Sequence, residues 1–473
     1  MTGRAIAIVL AAGAGTRFGG GKLLASLEGR PLLRHVLDAL AVGGIVDPVV
    51  VTSPDGELER GLEWGRSRRI VNPDPGRGLS SSLQVGWAAA MAAEPHPDCV
   101  IVVLGDQPLL DPAVIRALLD APPDASRPIV VARHADGARN PVRLEPSAAP
   151  LVAAAVGDRG LGPLLDAHPE LIRFLDVPAL NPDIDVPGDL VAALETRWAD
   201  RVKANADQVE RFREAPDGRD FYATVSRTFI ADPARDDDLV LDALLAIARP
   251  GDTWLDVGAG AGRYALPIAR HVREVIAVDP SSSMLAALDA GATAHGIGNI
   301  QAIAGRWPAD SALRSAIGPD PVADVVLISH VGYDIAAIEP FLEALERSAR
   351  RTCVAVLMDQ SPASVAAPFW PLVHGEDRVP LPALPQLVEL LDARRVGHDV
   401  IRVTGERRRW ADREEIEAFL RRQLWTRPGS PADGRLLMAI ERLAAEAPDG
   451  GLTLPAGPQL DIGIVTWAPP ESR

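Results

Sequence analysis

The sequence predicts an α/β protein built as two three-layer domains, on three observations. Its 473 residues exceed what one hydrophobic core serves, since single cores stop growing at roughly 250 to 300 residues. Short β-branched runs alternate with helical patterns, the order expected of strands and their covering helices. That alternation halts at a charged helix and then begins again. A hydrophobic fraction of 47% and a charged fraction of 24% sit at the globular average, which excludes a fibrous or wholly disordered chain.

In chain order, Ile6 to Leu10, Val49 to Thr52, Val100 to Leu104 and Ile129 to Ala132 read as buried strands. Their continuous rather than alternating apolar character implies a mostly parallel sheet covered on both faces. A helix begins near Leu190 and runs through Trp198 and Lys203 to about Glu214, where Ala215-Pro216-Asp217-Gly218 breaks it. The rhythm restarts with strands at Thr253 to Val257, Glu274 to Val278, Val325 to Ile328 and Thr352 to Leu357. These runs set a first domain over 1–197, a helical linker over 198–219, a second domain over 220–447 and a surface tail or hairpin over 448–473, rich in Pro and Gly.

A formal net charge of -16 argues against a broad grip on nucleic acid, which depends on Lys and Arg neutralising phosphates. Cys99 and Cys353 each lie in an apolar run and read as buried small hydrophobes, neither disulfide nor metal ligand. Arg4 followed by Ala5 to Leu10 has the look of a short signal peptide, but it leads into a glycine-rich loop and reads as a first strand. No apolar stretch approaches the ~18 to 20 residues of a membrane helix, so the expectation is a cytoplasmic protein.

The first strand ends in Leu10-Ala11-Ala12-Gly13-Ala14-Gly15-Thr16-Arg17-Phe18-Gly19-Gly20-Gly21-Lys22. Such a loop brings backbone N–H groups close to phosphates, and its Arg and Lys can neutralise a departing pyrophosphate. It fits neither the Walker pattern nor a dinucleotide fingerprint. Asn72-Pro73-Asp74-Pro75-Gly76-Arg77-Gly78-Leu79-Ser80-Ser81-Ser82 is a turn feeding a helix, where hydroxyls and helix amides can hold a base or ribose. Asp106, in Gly105-Asp106-Gln107-Pro108, stands at the carboxyl end of a buried strand, where open α/β sheets bind ligands. Asp183-Ile184-Asp185-Val186-Pro187-Gly188-Asp189 adds acids before a helix, among which Asp189 reads as a capping residue. Two carboxylates from different elements, with triphosphate oxygens and water, would complete a Mg²⁺ shell.

These motifs, with Asn140-Pro141-Val142 and Gly157 to Leu165, resemble in their order the nucleotidyltransferases related to molybdopterin cytidylyltransferase and molybdopterin-guanine dinucleotide synthase, over Ala5 to Glu195. The resemblance implies that Arg17 and Lys22 grip the triphosphate and that, with Asp106, they are the catalytic residues. It further implies that Asp106 and Asp185 bind Mg²⁺, and that Leu10, Ala11, Ala12, Gly13, Gly15, Lys22, Asn72, Gly78, Ser80 and Ser81 surround the nucleotide. Asn140 to Arg143 and Asp158 to Gly162 would border the acceptor. The Leu10-Ala11-Ala12-Gly13 opening looks like the cytidylyl branch and points to CTP, with a molybdopterin-like acceptor and a client molybdoenzyme as partner. A sugar-phosphate or alcohol-phosphate nucleotidyltransferase is the competing reading.

In the second half, Asp256-Val257-Gly258-Ala259-Gly260-Ala261-Gly262 is a strand followed by a glycine-rich turn, and Asp279-Pro280-Ser281 closes a strand one βαβ unit later. Glycines clear the backbone for a nucleoside, and an acid ending the second strand can accept hydrogen bonds from both ribose hydroxyls. A nicotinamide-dinucleotide domain uses similar geometry, but the GxGxG spacing and the polar end of Ala323 to His330 resemble class I S-adenosylmethionine (SAM) dependent methyltransferases, over roughly Asp220 to Leu443. That resemblance implies that Asp256, Gly258, Gly260, Gly262, Asp279, Pro280 and Ser281 bind SAM, with Ser282 and Met284 near the adenine edge. An acid often found in that family near the position of Arg306-Trp307 is missing here. His330, Tyr333 and Asp334 would face the transferred methyl group, and His330 is as well explained by structure as by catalysis. Arg407 to Ile416 reads as a strand end and an Asp-capped helix rather than a phosphate patch.

The sequence therefore predicts two Rossmann-like three-layer domains joined by a helical linker, the first with a nucleotidyltransferase-type sheet and the second with a SAM-methyltransferase-type sheet. The implied chemistry is Mg²⁺-dependent nucleotidyl transfer and SAM-dependent methylation of an acceptor the sequence does not name. A non-catalytic SAM-binding sensor is the alternative for the second domain.

Overall fold

Each apolar run of the first half forms a strand in the computed structural model, which describes residues 4–214, 229–447, 450–455 and 457–470. The strands are β1 (Ala5–Ala11), β2 (Val49–Thr52), β3 (Arg68–Val71), β4 (Cys99–Leu104), β5 (Ile129–His134), β6 (Val142–Leu144) and β7 (Ile172–Val177). They lie in the order β3-β2-β1-β4-β6-β5-β7. All neighbours are parallel except β6, which runs against both β4 and β5. Along β1, Ala7 and Val9 enter one apolar cluster while Ile6, Ile8 and Leu10 enter another on the opposite face. Helices Leu32–Gly43 and Pro112–Asp120 supply the first cluster and helix Leu79–Met91 the second. Burial on both faces is why these strands read as continuous apolar runs.

The second sheet contains β8 (Thr253–Val257), β9 (Glu274–Asp279), β10 (Ile300–Ala304), β11 (Ala323–Ser329), β12 (Ala349–Met358), β13 (His398–Val403) and β14 (Ile462–Trp467). Their order is β10-β9-β8-β11-β12-β14-β13. Counted within this unit that is 3-2-1-4-5-7-6, so an antiparallel strand is inserted where the dinucleotide-binding order 3-2-1-4-5-6 has none. The stretch read as a surface tail or hairpin is corrected here. Ile464 and Val465 of β14 are fully buried between β12 and β13.

The chain divides into Met1–Ala193 and Leu194–Arg473. This boundary falls inside one continuous helix, Pro187–Phe212, rather than at 197. Much of the segment read as a linker is packed into the second unit: Asn205 Nδ2 donates to Val379 O (2.6 Å), Gln208 Nε2 to Glu376 Oε1 (2.8 Å), and Val209 is buried. The break read at Ala215-Pro216-Asp217-Gly218 lies outside the described residues.

Beyond the carboxyl ends of β12 and β13 the second unit builds a cap. It comprises Pro362–Phe369, Trp370–His374, Arg413–Leu424 and Pro431–Leu443, around a core of its own that includes Phe369, Trp370, Trp410, Leu420 and Leu436. Asp412 caps the Arg413 helix by accepting from Glu415 N (2.9 Å), so Arg407 to Ile416 forms the strand end and capped helix expected. Cys99 and Cys353 are free and buried. No helix among the described residues is long and apolar enough to cross a membrane.

Two candidate active sites

In the first unit the backbone gathers the charges. Gly105 N donates to Leu10 O (3.0 Å), setting Asp106 beside the end of β1, and Ile184 N donates to Asp106 O (3.0 Å), drawing in the Asp183 to Asp185 segment. Gly15 has a left-handed φ of 57°, and a side chain there would meet Lys22 Cβ at 3.2 Å, so the loop turns tightly against the lysine. Lys22 Nζ then lies 2.6 Å from Asp106 Oδ2 and 3.1 Å from Asp185 Oδ1, while Arg17 Nη2 lies 2.9 Å from Asp185 Oδ2.

The Lys22 side chain is 12% exposed and that of Arg17 71%, so one cation is embedded and the other reaches out. Burial pulls the Lys22 ammonium down, but Asp106 and Asp185 push it further up, and it stays above the ordinary lysine value. Asp183, not singled out from the sequence, is a third carboxylate here. Burial and then the charge of Asp106 raise its pKa, and Gln107 Nε2 donates to it at 2.8 Å. Its signal was present in the Asp183-Ile184-Asp185 alternation, which leaves Ile184 buried between the two acids.

Other residues expected at the nucleotide also tie loops together. Asn72 is buried, with Nδ2 donating to Ser81 Oγ and Ser82 Oγ (both 2.9 Å); Ser80 Oγ donates to Gly157 O (2.8 Å) and Ser81 Oγ to Gly78 O (2.8 Å). These side chains hold the loops to one another. Gly78 joins the same junction, because a Cβ there would stand 2.5 Å from Asp158 Oδ1 and from Gly157 C. Leu10, Ala11 and Ala12 are buried and offer only backbone, whereas Gly13 is exposed with no atom within 4 Å of where a Cβ would sit.

Arg143 is also corrected. It is 4% exposed, pairs with Glu145 (3.2 Å), and lies near Cys99 at the amino end of β4, away from Asp106. Asn140 O accepts from Asn181 Nδ2 (3.3 Å). Asp189 Oδ2 accepts from Asp185 N and Val186 N (2.7 and 2.8 Å), the reach-back of a helix cap.

In the second unit Asp279 closes β9, and its two oxygens accept from Gly260 N (2.9 Å) and Ser281 N (2.8 Å). Asp256 in β8 is 3% exposed, and its Oδ1 has no hydrogen-bond partner among the described residues. Burial and then the Asp279 charge push its carboxyl up to about 7. The glycines divide by function. A Cβ at Gly258 would lie 2.3 Å from Val331 Cγ2 and one at Gly262 would lie 2.8 Å from Leu266 Cγ, but none meets an atom within 4 Å at Gly260. Gly258 and Gly262 fit the loop to its neighbours, and Gly260 borders open space.

Pro280 is exposed, while Ser281 caps helix Ser282–Ala294 through Met284 N (3.2 Å) and Met284 is buried. Gly305 N donates to Asp279 O (3.1 Å), bringing up buried Trp307, whose Nε1 has no hydrogen-bond partner among the described residues. An indole thus stands near where the missing acid was sought. His330, directly after β11, has a strained φ of 57°, and its N donates to Val356 O (2.8 Å). Burial and then Arg263 lower its imidazole to about 4, so it is neutral at pH 7. Its Nδ1 lies 3.5 Å from Tyr333 Oη, which accepts from Met358 N (2.8 Å); Asp334 is exposed.

Residues 7–171 match the model of the MobA-like NTP transferase domain, and residues 255–353 that of a methyltransferase domain. The chain joins these two domains. It is 30% identical over 139 residues to the probable molybdenum cofactor guanylyltransferase of Thermococcus kodakarensis, covering 29% of this chain and 63% of that protein. It is 33% identical over 131 residues to the 3-deoxy-manno-octulosonate cytidylyltransferase of Anaeromyxobacter dehalogenans, covering 28% of this chain and 52% of that one. A solved nucleotidyl transferase from Methanothermobacter thermautotroptrophicus is 27% identical with a TM-score of 0.34, covering 40% of this chain and 95% of that one. The matches thus span about half to two thirds of those two curated relatives' length. The MobA-like segment contains Arg17, Lys22 and Asp106, and the methyltransferase segment contains Asp256, Asp279 and His330.

Proposed function

We propose that the first unit transfers CMP from CTP to the phosphate of a molybdopterin-like acceptor, releasing pyrophosphate, and that the second transfers a methyl group from SAM. The observation that carries the first half is the Arg17, Lys22, Asp106 and Asp185 cluster. An acceptor phosphate oxygen attacks the α-phosphorus, the bond to the β-phosphate bridging oxygen breaks, and negative charge grows on the leaving pyrophosphate. Arg17 and Lys22 stand to neutralise that charge. Asp106 and Asp185 already share one cation, Lys22, and suit Mg²⁺, which takes one or two carboxylates along with substrate phosphates. When bound there, Mg²⁺ would supply Lewis-acid polarisation of the phosphates.

The choice of CTP rests on the Ala11-Ala12-Gly13 opening. The curated relatives divide, one named a guanylyltransferase and another a cytidylyltransferase acting on a sugar acid, so a sugar-type acceptor is the second reading. Incubating the chain with each NTP, Mg²⁺ and either molybdopterin or 3-deoxy-manno-octulosonate, and following pyrophosphate release, tests both. A GTP preference would overturn the nucleotide, and turnover of the sugar acid alone would overturn the acceptor.

For the second unit, the open side of Gly260, the unpartnered Asp256 Oδ1 and the Asp279 carboxylate suit SAM. When bound, SAM supplies an electrophilic methyl group. His330 stands beside the Val331 contact with Gly258, but burial makes its imidazole a weak base. The proposed transfer therefore rests on aligning the acceptor with the methyl group rather than on proton removal by His330. SAM binding measured by calorimetry tests the site; binding without methylation of any component of a cell extract would favour a sensor.

A further inference from the structure

The cap over the second unit contains a cation that its surroundings leave unneutralised. Arg378 lies in the segment between helices Trp370–His374 and Leu384–Ala393. The hydrogen bonds of its side chain run from Nη1 alone, to Ala363 O and Gln423 O (both 3.3 Å), and its Cζ lies 5.1 Å from the centroid of the Trp370 ring. No carboxylate among the described residues pairs with it. The acids nearest in sequence do not: Glu376 is bound by Arg211 (2.5 Å) and Gln208, and Asp377 is exposed. Trp370 Nε1 is buried with no hydrogen-bond partner among the described residues. The unused groups here, Arg378 Nη2 and Nε and the indole N–H, are all donors.

A half-buried charge without a counterion carries part of a desolvation cost that a partner anion would offset. Guanidinium is suited to that partner being a planar or tetrahedral anion held by two parallel hydrogen bonds. The location fits an acceptor subsite. Ala363, whose carbonyl holds Arg378, lies just past the end of β12, and the same strand end touches Tyr333 through Met358 N, three residues from His330. Carboxyl ends of strands are where open α/β sheets bind ligands.

We propose that Arg378, backed by Trp370, binds an anionic group, carboxylate or phosphate, on the molecule that the second unit methylates. The identity of that ligand as methyl acceptor rests on the methyltransferase reading; the anion site does not. The test uses the full chain carrying Lys22→Ala, which weakens phosphate binding at the first unit, saturated with S-adenosylhomocysteine. Acetate and methyl phosphate are titrated separately by calorimetry. Saturable binding of at least one is expected, the tighter naming the class, with a loss of tenfold or more in Arg378→Met and a smaller loss in Arg378→Lys. Because Met removes a half-buried charge that no carboxylate among the described residues offsets, the melting temperature of Arg378→Met without ligand should stay close to that of the parent. Equal anion affinity in parent and Arg378→Met, or no saturable binding of either anion, overturns the proposal. A lowered melting temperature in both variants with anion affinity unchanged makes Arg378 structural and overturns it too. If the anion binds through Arg378 but S-adenosylhomocysteine does not bind at all, the anion site stands and the methyltransferase reading fails.

Discussion

Both units place a glycine-rich turn after their first parallel strand, yet the two turns do different work. The turn after β1 carries charge: Arg17 and Lys22 reach two aspartates from separate segments, and the site is an ion cluster partly open to water. The turn after β8 carries no charge between Gly258 and Gly262 and lies against buried acids, one of them lacking a hydrogen-bond partner among the described residues. A similar backbone device thus borders a cluster of paired charges in one unit and buried acids in the other. Side chains around the turn, rather than the turn, set the chemistry.

That contrast can be broken most severely at Asp106. Asp106→Asn should lower nucleotidyl transfer by on the order of 10³ while leaving the melting temperature nearly unchanged, since it removes a ligand to cations and no core contact. Pyrophosphate release retained at saturating Mg²⁺ would refute it. Lys22→Ala should cost about 10² to 10³ in the same rate through lost stabilisation of phosphate charge; a loss of thermal stability with unchanged rate would make Lys22 structural. SAM affinity should be untouched in both variants.

Across the comparison, Asp279→Ala should weaken SAM by about ten- to a hundredfold, the cost of removing a charged acceptor from buried donors. Calorimetry on the full chain reads this, and nucleotidyl transfer should not change. Two neighbouring glycines sharpen the point. Gly258→Ala should lower stability by about 1 to 3 kcal/mol, because the new methyl would overlap Val331. Gly260→Ala meets no protein atom within 4 Å, so it should cost only about 1 kcal/mol of backbone strain, while Gly260→Val blocks SAM. Equal effects of the two alanines on stability would contradict this division.

The smallest effect is a slope. Asp256, with a pKa raised from 3.8 to about 7, binds more protons folded than unfolded, so its contribution to stability declines as pH rises through that window. His330, lowered from 6.5 to about 4, binds fewer protons folded, and its contribution declines as pH falls through its own window. The two oppose one another over much of the same range. Asp256→Asn removes one of them, so urea midpoints without SAM should fall more steeply on acidification from pH 6.5 to 4 than in the parent, by up to about 1 kcal/mol per pH unit. A parallel pair of curves would show that Asp256 does not titrate there.

The strands quoted from the sequence were legible because burial on both faces leaves a continuous apolar run, as in Ile6 to Leu10. The convergence of Arg17, Lys22, Asp106 and Asp185 was legible for a different reason: each stands in a short motif at a strand end or before a helix. What the sequence hid depends on partners far along the chain. Nothing local in Ser80 and Ser81 shows that their hydroxyls donate to Gly157 O and Gly78 O. Arg143 looks like a border of the acceptor site until Glu145 and Cys99 enclose it. Nothing local in Arg378 announces that its neighbouring acid, Glu376, is already taken by Arg211.

The place of β14 has a temporal consequence. Val354 and Val400 are both registered against this strand, at Thr466 and Val465, so β12 and β13 are joined only once β14, which follows both in the sequence, has been made. Until then the buried apolar strand β12 presents an unpaired edge, the kind of surface that recruits another chain. The first unit meets no such delay, because every strand it pairs lies within its own first 177 residues. During synthesis the sheet of the first unit can therefore be complete while that of the second still lacks β14.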